Sequence, residues 1–148
     1  RQHSIIWRSI LIEQIKKKII RKRYTGRKKS AESGNDYAQE ALARIYETGR
    51  LVPKDLYQAK AWYEKAAFSG SDSAILKMVD IYFDGIGCEK DPITFYPWLL
   101  IAETKIHPQS PTGQTIAERK KKMQEQLSPS QIEKAEEKFR VLAEKVKK

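Results

Sequence analysis

Two stretches of the chain match each other at a fixed offset of 36 residues. Ala38 pairs with Ala74, Ile45 with Ile81, Tyr46 with Tyr82 and Gly49 with Gly85. Lys54-Asp55 pairs with Lys90-Asp91, Trp62 with Trp98 and Ala66 with Ala102. So many Gly, Trp and Tyr matches in one register are not coincidence. A repeat of this length is one supersecondary unit that cannot bury its apolar faces alone, so neighbouring units must stack. That requirement constrains the fold more than any other feature of the sequence.

Each unit reads as helix, loop, helix. In the first, Ala38, Leu42, Ile45 and Tyr46 recur every three or four residues and form one apolar stripe. Gly49 ends that helix, where a left-handed residue is usual. Pro53 keeps the loop from continuing as helix. Asp55 is an N-cap with Gln58 three residues on, as in a capping box. Ala59, Trp62, Tyr63 and Ala66 make the second stripe, where small residues let helices approach beside Trp62, and Gly70 closes the unit. In the second unit Ala74, Met78, Ile81 and Tyr82 precede the stop at Gly85. Asp91 caps the next helix and Pro92 sits at its first position. Pro97, about six residues in, is expected to kink or shorten that helix.

Residues 36–70 resemble a Sel1-like repeat, a relative of the tetratricopeptide repeat. The resemblance rests on Ala38, Leu42, Tyr46, Gly49, Val52, Asp55, Ala59, Trp62, Tyr63, Ala66, Ala67 and Gly70. Ala43 and Leu51 depart from the family pattern, which has Gly there. Residues 72–104 keep Ala74, Tyr82, Gly85, Gly87, Asp91, Trp98 and Ala102, with Phe95 in place of an alanine and Trp98-Leu99 in place of Trp-Tyr. The stretch from about 114 to 145 resembles the capping helices that close such arrays. Its Ser128-Pro129-Ser130-Gln131 is a complete helix start. The resemblance implies an all-α fold: a short α-solenoid of helix-turn-helix repeats with an N-terminal basic helix and a C-terminal helical cap. The expected organisation is a basic helix and linker over 1–35, then a repeat domain over 36–148 with its cap at about 110–148. Ser30 to Asn35 read as linker, and no repeat pattern is visible in residues 1–35.

Charge is concentrated in front of the repeats. Residues 1–35 hold 11 Lys/Arg against 2 Asp/Glu, residues 36–107 hold 8 against 11, and residues 108–148 hold 10 against 6. Residues 5–20, IIWRSILIEQIKKKII, contain nine apolar residues, with Ile5, Ile12 and Ile19 spaced by seven. They read as a helix that packs on the array or on a partner helix, as a basic amphipathic helix at a membrane surface, or as the end of a membrane anchor. The cations Lys16, Lys17, Lys18, Arg21, Lys22, Arg23, Arg27, Lys28 and Lys29 could neutralise phosphates without reading sequence, or simply solvate a linker. One cysteine excludes a disulfide scaffold, which favours a reducing compartment. The chain starts at Arg1, so a processed or truncated N-terminus is expected, and an organellar location is compatible with it.

Catalytic chemistry is hard to find. His3 and His107 lie in no metal spacing. Cys88 fills the small apolar position held by Val52 in the first unit, although Lys90 nearby could lower its pKa. Gly85-Ile86-Gly87 follows a helix and lacks the rest of a phosphate loop. Asp80, Asp84 and Glu89 suit a solvated helix end, and Trp62 and Trp98 read as core rather than as a ligand box. No enzyme, cofactor or small-molecule substrate is expected.

The expected function is protein binding as an adaptor or scaffold, within a larger assembly, which is what Sel1-like repeats imply. The contact face falls on the first helix of each unit: Glu40, Arg44 and Glu47, then Leu76, Asp80 and Phe83 at +36. The alternative is an RNA- or anion-associated protein that binds through the basic residues of 1–29.

Overall fold

The structure, a computed structural model, describes residues 2–146. Residues 147–148 of the expected cap lie outside the described residues. Seven helices and no strand occur among the described residues: α1 Gln2–Glu32, α2 Asp36–Thr48, α3 Leu56–Phe68, α4 Asp72–Asp84, α5 Pro92–Lys105, α6 Pro111–Gln126 and α7 Pro129–Lys145. Helices α2 and α3 form the first hairpin and α4 and α5 the second. Each helix from α1 to α5 packs on the next, and α6 and α7 both close against α5. This is a solenoid, in which each unit touches only its neighbours.

The starts and stops follow the local chemistry. Asn35, Asp55, Ser71, Asp91, Ser110 and Ser128 each cap a helix by accepting a backbone N–H. At Ser128 the capping box is complete, because the Gln131 side chain also accepts the Ser128 N–H. Gly49 and Gly85 close α2 and α4 in the left-handed conformation. Gly87 is also left-handed, and a Cβ there would sit 2.5 Å from the Leu56 carbonyl oxygen. Only glycine lets the second loop back onto the start of α3.

The core runs along the hairpin seams. Leu42, Ala43, Ala66 and Ala67 are buried in the first unit, and Ala74, Ile75, Met78, Leu99 and Ala102 in the second. Trp62 and Trp98 are buried as the repeat logic requires, and Phe68 stacks on Trp98 at 5.9 Å between ring centres, joining the two units. Pro97 does not shorten its helix. It is buried inside α5, which runs 14 residues against 13 for α3.

The N-terminal region departs most from expectation. Ser30 and Ala31 are not linker but the end of α1, and only Ser33–Asn35 join α1 to α2. Ala31 is buried. The last thirteen residues of α1, 20–32, fall 36 positions before α3. Gly34 and Gly70 share a φ of 97°. Ser33 and Ser69 each donate an N–H to the carbonyl four residues back, and Gly34 and Gly70 each donate to the carbonyl three back, at Ala31 and Ala67. Tyr24 packs on Tyr46 where Lys60, at +36, packs on Tyr82. The end of α1 therefore matches the second helix of a repeat in its register and closing turn. Residues 2–19 continue beyond it as about 27 Å of helix.

The candidate protein-binding face

The first helices of the hairpins are joined side by side through their polar groups. Glu47 of α2 accepts from the Tyr63 hydroxyl at 2.8 Å and from Lys77 Nζ of α4 at 2.9 Å. Burial pushes the Glu47 carboxyl up, but the Lys77 and Tyr63 hydrogen bonds and the Lys77 charge outweigh it and hold it below the usual value. The Tyr63 hydroxyl is raised by burial and then by its bond to Glu47. One turn further along the array, Asp80 of α4 accepts from Arg119 of α6 at 3.0 Å. The same guanidinium lies 4.3 Å from the centre of the Phe83 ring. Glu40 accepts from the hydroxyls of Ser71 and Ser73 at the start of α4.

Of the six residues expected on the contact face, Glu40, Glu47 and Asp80 thus link neighbouring helices. Leu76 is not exposed but half-buried against the core. Arg44 and Phe83 face outward, Phe83 tilted against Phe95 below it. The sequence pattern placed all six on α2 and α4. It could not show that α6 supplies Arg119 to the same ridge, because no partner spacing connects positions 39 residues apart.

A cleft of about 560 Å³ opens at the N-terminal end of this ridge, between α1 and α2. Arg23 and Arg27 of α1 and Arg44 and Arg50 line it, over a floor of Ile20, Ala41, Ile45 and Leu51. The repeat register explains it. In the first unit, Tyr63 of α3 sits between α2 and α4. Its counterpart at −36 is Arg27, which faces the place where a preceding first helix would lie. The cleft lies at that place. Arg23 and Arg27 belong to the basic run of residues 16–29, whose spacing does not show their convergence with Arg44 and Arg50, since that depends on the helical register of α1. The remaining cations of the arm, Lys16, Lys17, Lys18, Arg21, Lys22, Lys28 and Lys29, are exposed on α1.

The residues weighed for chemistry are dispersed. His3 and His107 are exposed, and His107 Nδ1 accepts the Gln109 N–H at 3.2 Å. Cys88 is half-buried beside Ile81. Burial raises its thiol, and the cation that opposes this is Lys60 rather than Lys90. No group of three or more His, Cys, Asp or Glu placed to hold a metal occurs among the described residues. A second cleft, between α7 and the α4–α5 hairpin, is lined by Tyr82, Ile93, Pro97, Trp98, Val141 and Leu142.

A stacked array of helical hairpins with a ridge of first helices defines an α-solenoid interaction module. The family model described as Sel1 repeat matches residues 36–71 and 74–94, so the two central hairpins carry Sel1-like repeats. Among solved structures it is similar to c5321, a protective antigen of uropathogenic Escherichia coli strains with an SLR fold. That match has 28% identity and a TM-score of 0.67 over 83% of this chain and 25% of that one. A Sel1 repeat protein from Oxalobacter formigenes matches with 30% identity and a TM-score of 0.53, over 58% of this chain and 35% of that one. The chain thus spans a quarter to about a third of these structures. No curated protein matches it. Sel1 repeats generally mediate protein–protein interaction and are typically non-catalytic.

Proposed function

We propose that the array is a non-catalytic adaptor, a subunit of a larger assembly that receives an acidic amphipathic helix of a protein partner. The observation that carries this reading is the arginine-lined cleft between α1 and α2, at the place where the repeat register would set a preceding first helix. Its apolar side chains are Ile20, Ala41, Ile45 and Leu51, and it carries Arg23, Arg27, Arg44 and Arg50, of which Arg44 also acts on the Glu47 carboxylate. A partner helix with an apolar stripe would lie where the register sets a first helix, and its acidic flanks would meet the guanidiniums. The contact would continue along the ridge through Arg44 to Phe83. The ion pairs of Glu47 and Asp80 hold that ridge in one arrangement, which limits the ordering cost of binding.

The test uses a labelled helical peptide with a Leu/Ile stripe flanked by Glu, and a second peptide with Lys in place of Glu. The chain should bind the first and not the second, and Arg23→Glu with Arg27→Glu should invert the preference. Equal binding of both peptides, or binding of the first that survives the charge reversal, would refute the reading. Arg44→Ala and Phe83→Ala should each weaken the acidic peptide; if both leave it intact, the ridge is not the contact surface.

A further inference from the structure

Residues 2–19 of α1 are exposed on every side and touch no other helix closely enough to be buried. Exposure of the large apolar side chains runs from 41% at Ile10 to 66% at Trp7. From Ile5 to Ile12 only Arg8 and Ser9 interrupt the apolar run. These side chains do not form one stripe. At 100° per residue, Ile5, Ile12, Ile15 and Ile19 share one side, Ile6 and Ile10 another, and Trp7 and Leu11 a third. A partner helix covers a single stripe and would leave the rest in water. An environment that surrounds the helix covers all three. Immediately after this run, Lys16–Lys18 and Arg21–Arg23 place six cations within eight residues. Glu13, the one acidic residue before them, pairs with Lys16 at 3.6 Å.

We propose that the projecting part of α1 enters an anionic lipid bilayer, with Ile5–Ile12 in the hydrocarbon and the Lys16–Arg23 cations at the headgroups. The dimensions agree. From Lys16 back to Gln2 is about 21 Å of helix, so an oblique entry, inclined about 60° from the membrane normal, holds Gln2–Ser4 about 10 Å deep, within a leaflet of about 15 Å. The chain would insert without crossing, in keeping with the absence of any described helix long and apolar enough to span a membrane. Arg8 carries its charge on a stem that can reach toward the interface. The cations match the sign of an anionic leaflet. Because α1 continues unbroken into the array, where Tyr24 and Tyr46 share a hydrogen bond of 2.8 Å and Gln39 Nε2 donates to the Ala31 carbonyl, insertion would hold the repeats at a fixed distance from the surface.

Trp7 is the natural reporter, since Trp62 and Trp98 are 8% and 2% exposed. The whole chain is mixed with phosphatidylcholine vesicles with and without phosphatidylserine, and sedimentation and tryptophan emission are read. The expected result is sedimentation with the anionic vesicles and an emission shift to shorter wavelength, a shift that Trp7→Phe removes while sedimentation persists. Leu11→Asp, and separately Ile6→Asp, should lower vesicle affinity at least tenfold while leaving the circular dichroism melt of the array unchanged. Lys17→Gln should lower it about fivefold. Absence of sedimentation overturns the proposal. Sedimentation without the Trp7 shift also overturns it, since the cations would then act alone at the surface. So does binding of single-stranded RNA in place of vesicles, insensitive to Leu11→Asp, or a vesicle-independent oligomer that Leu11→Asp dissolves, which would make a second copy the occupant.

Discussion

Replacing Glu47 by Gln keeps its shape and removes its charge. The carboxylate joins three helices, accepting from Tyr63 of α3 and Lys77 of α4 while standing on α2. The Tyr63 bond would change from charge-assisted to neutral, a loss of about 1 kcal/mol. The Lys77 ion pair, whose side chains are partly exposed, contributes about 0.5 kcal/mol more. The sum of about 1.5 kcal/mol corresponds to a fall in melting temperature of about 3–6 °C for a chain of this size.

The pH dependence identifies the cause. The Glu47 carboxyl is held below its ordinary value in the folded state, so its charge contributes stability above the unfolded pKa. That contribution is lost as pH falls through the lowered folded pKa. Wild type and Glu47→Gln should therefore differ at pH 7 and converge in acid, below the carboxyl range. Calorimetric melts across that range make the comparison. A difference that persists undiminished in acid, or no difference at pH 7, would refute the assignment of Glu47 as the charged link between repeats.

Other consequences can be measured directly. Trp98→Ala should cost about 3–5 kcal/mol in urea unfolding, because the ring is buried and stacks on Phe68 across the unit boundary. Gly87→Ala should destabilise by about 2 kcal/mol through its left-handed φ and the close Leu56 carbonyl, whereas Gly26→Ala, with open space around it in the middle of α1, should stabilise by up to about 1 kcal/mol in thermal melts. Cys88 should react with iodoacetamide more slowly in the folded chain than after denaturation at pH 8, since burial raises its thiol.

The hairpins were legible because each boundary is written locally. Gly49 and Gly85 are stops, Asp55 and Asp91 are caps, and the apolar positions between them keep helical spacing. Pro97 misled because a proline inside a helix is judged by its missing N–H. Tertiary burial holds α5 together around it, since Phe95, Pro97, Trp98 and Leu99 all lie within the core. On the contact face, the pattern identified which side of α2 and α4 lies away from the core. It did not separate side chains that bond to the next helix, such as Glu40 and Glu47, from those left outward, such as Arg44. That distinction depends on the distance between helices that are far apart in sequence.

The end of α1 shows why one repeat unit escaped the pattern. Its match to α3 survives around the closing turn, at Lys29, Ala31, Ser33 and Gly34, which close the helix as Lys65, Ala67, Ser69 and Gly70 do. The side chains that would pack on a first helix have changed: Ala59, Trp62 and Tyr63 of α3 correspond to Arg23, Gly26 and Arg27. An array that simply ended there would need only a polar outer face. Two arginines meeting Arg44 and Arg50 above an apolar floor are more than solubility requires. The substitutions that hide the repeat from the eye are therefore the same ones that define the chemistry of the cleft beside it, and so what that cleft can receive.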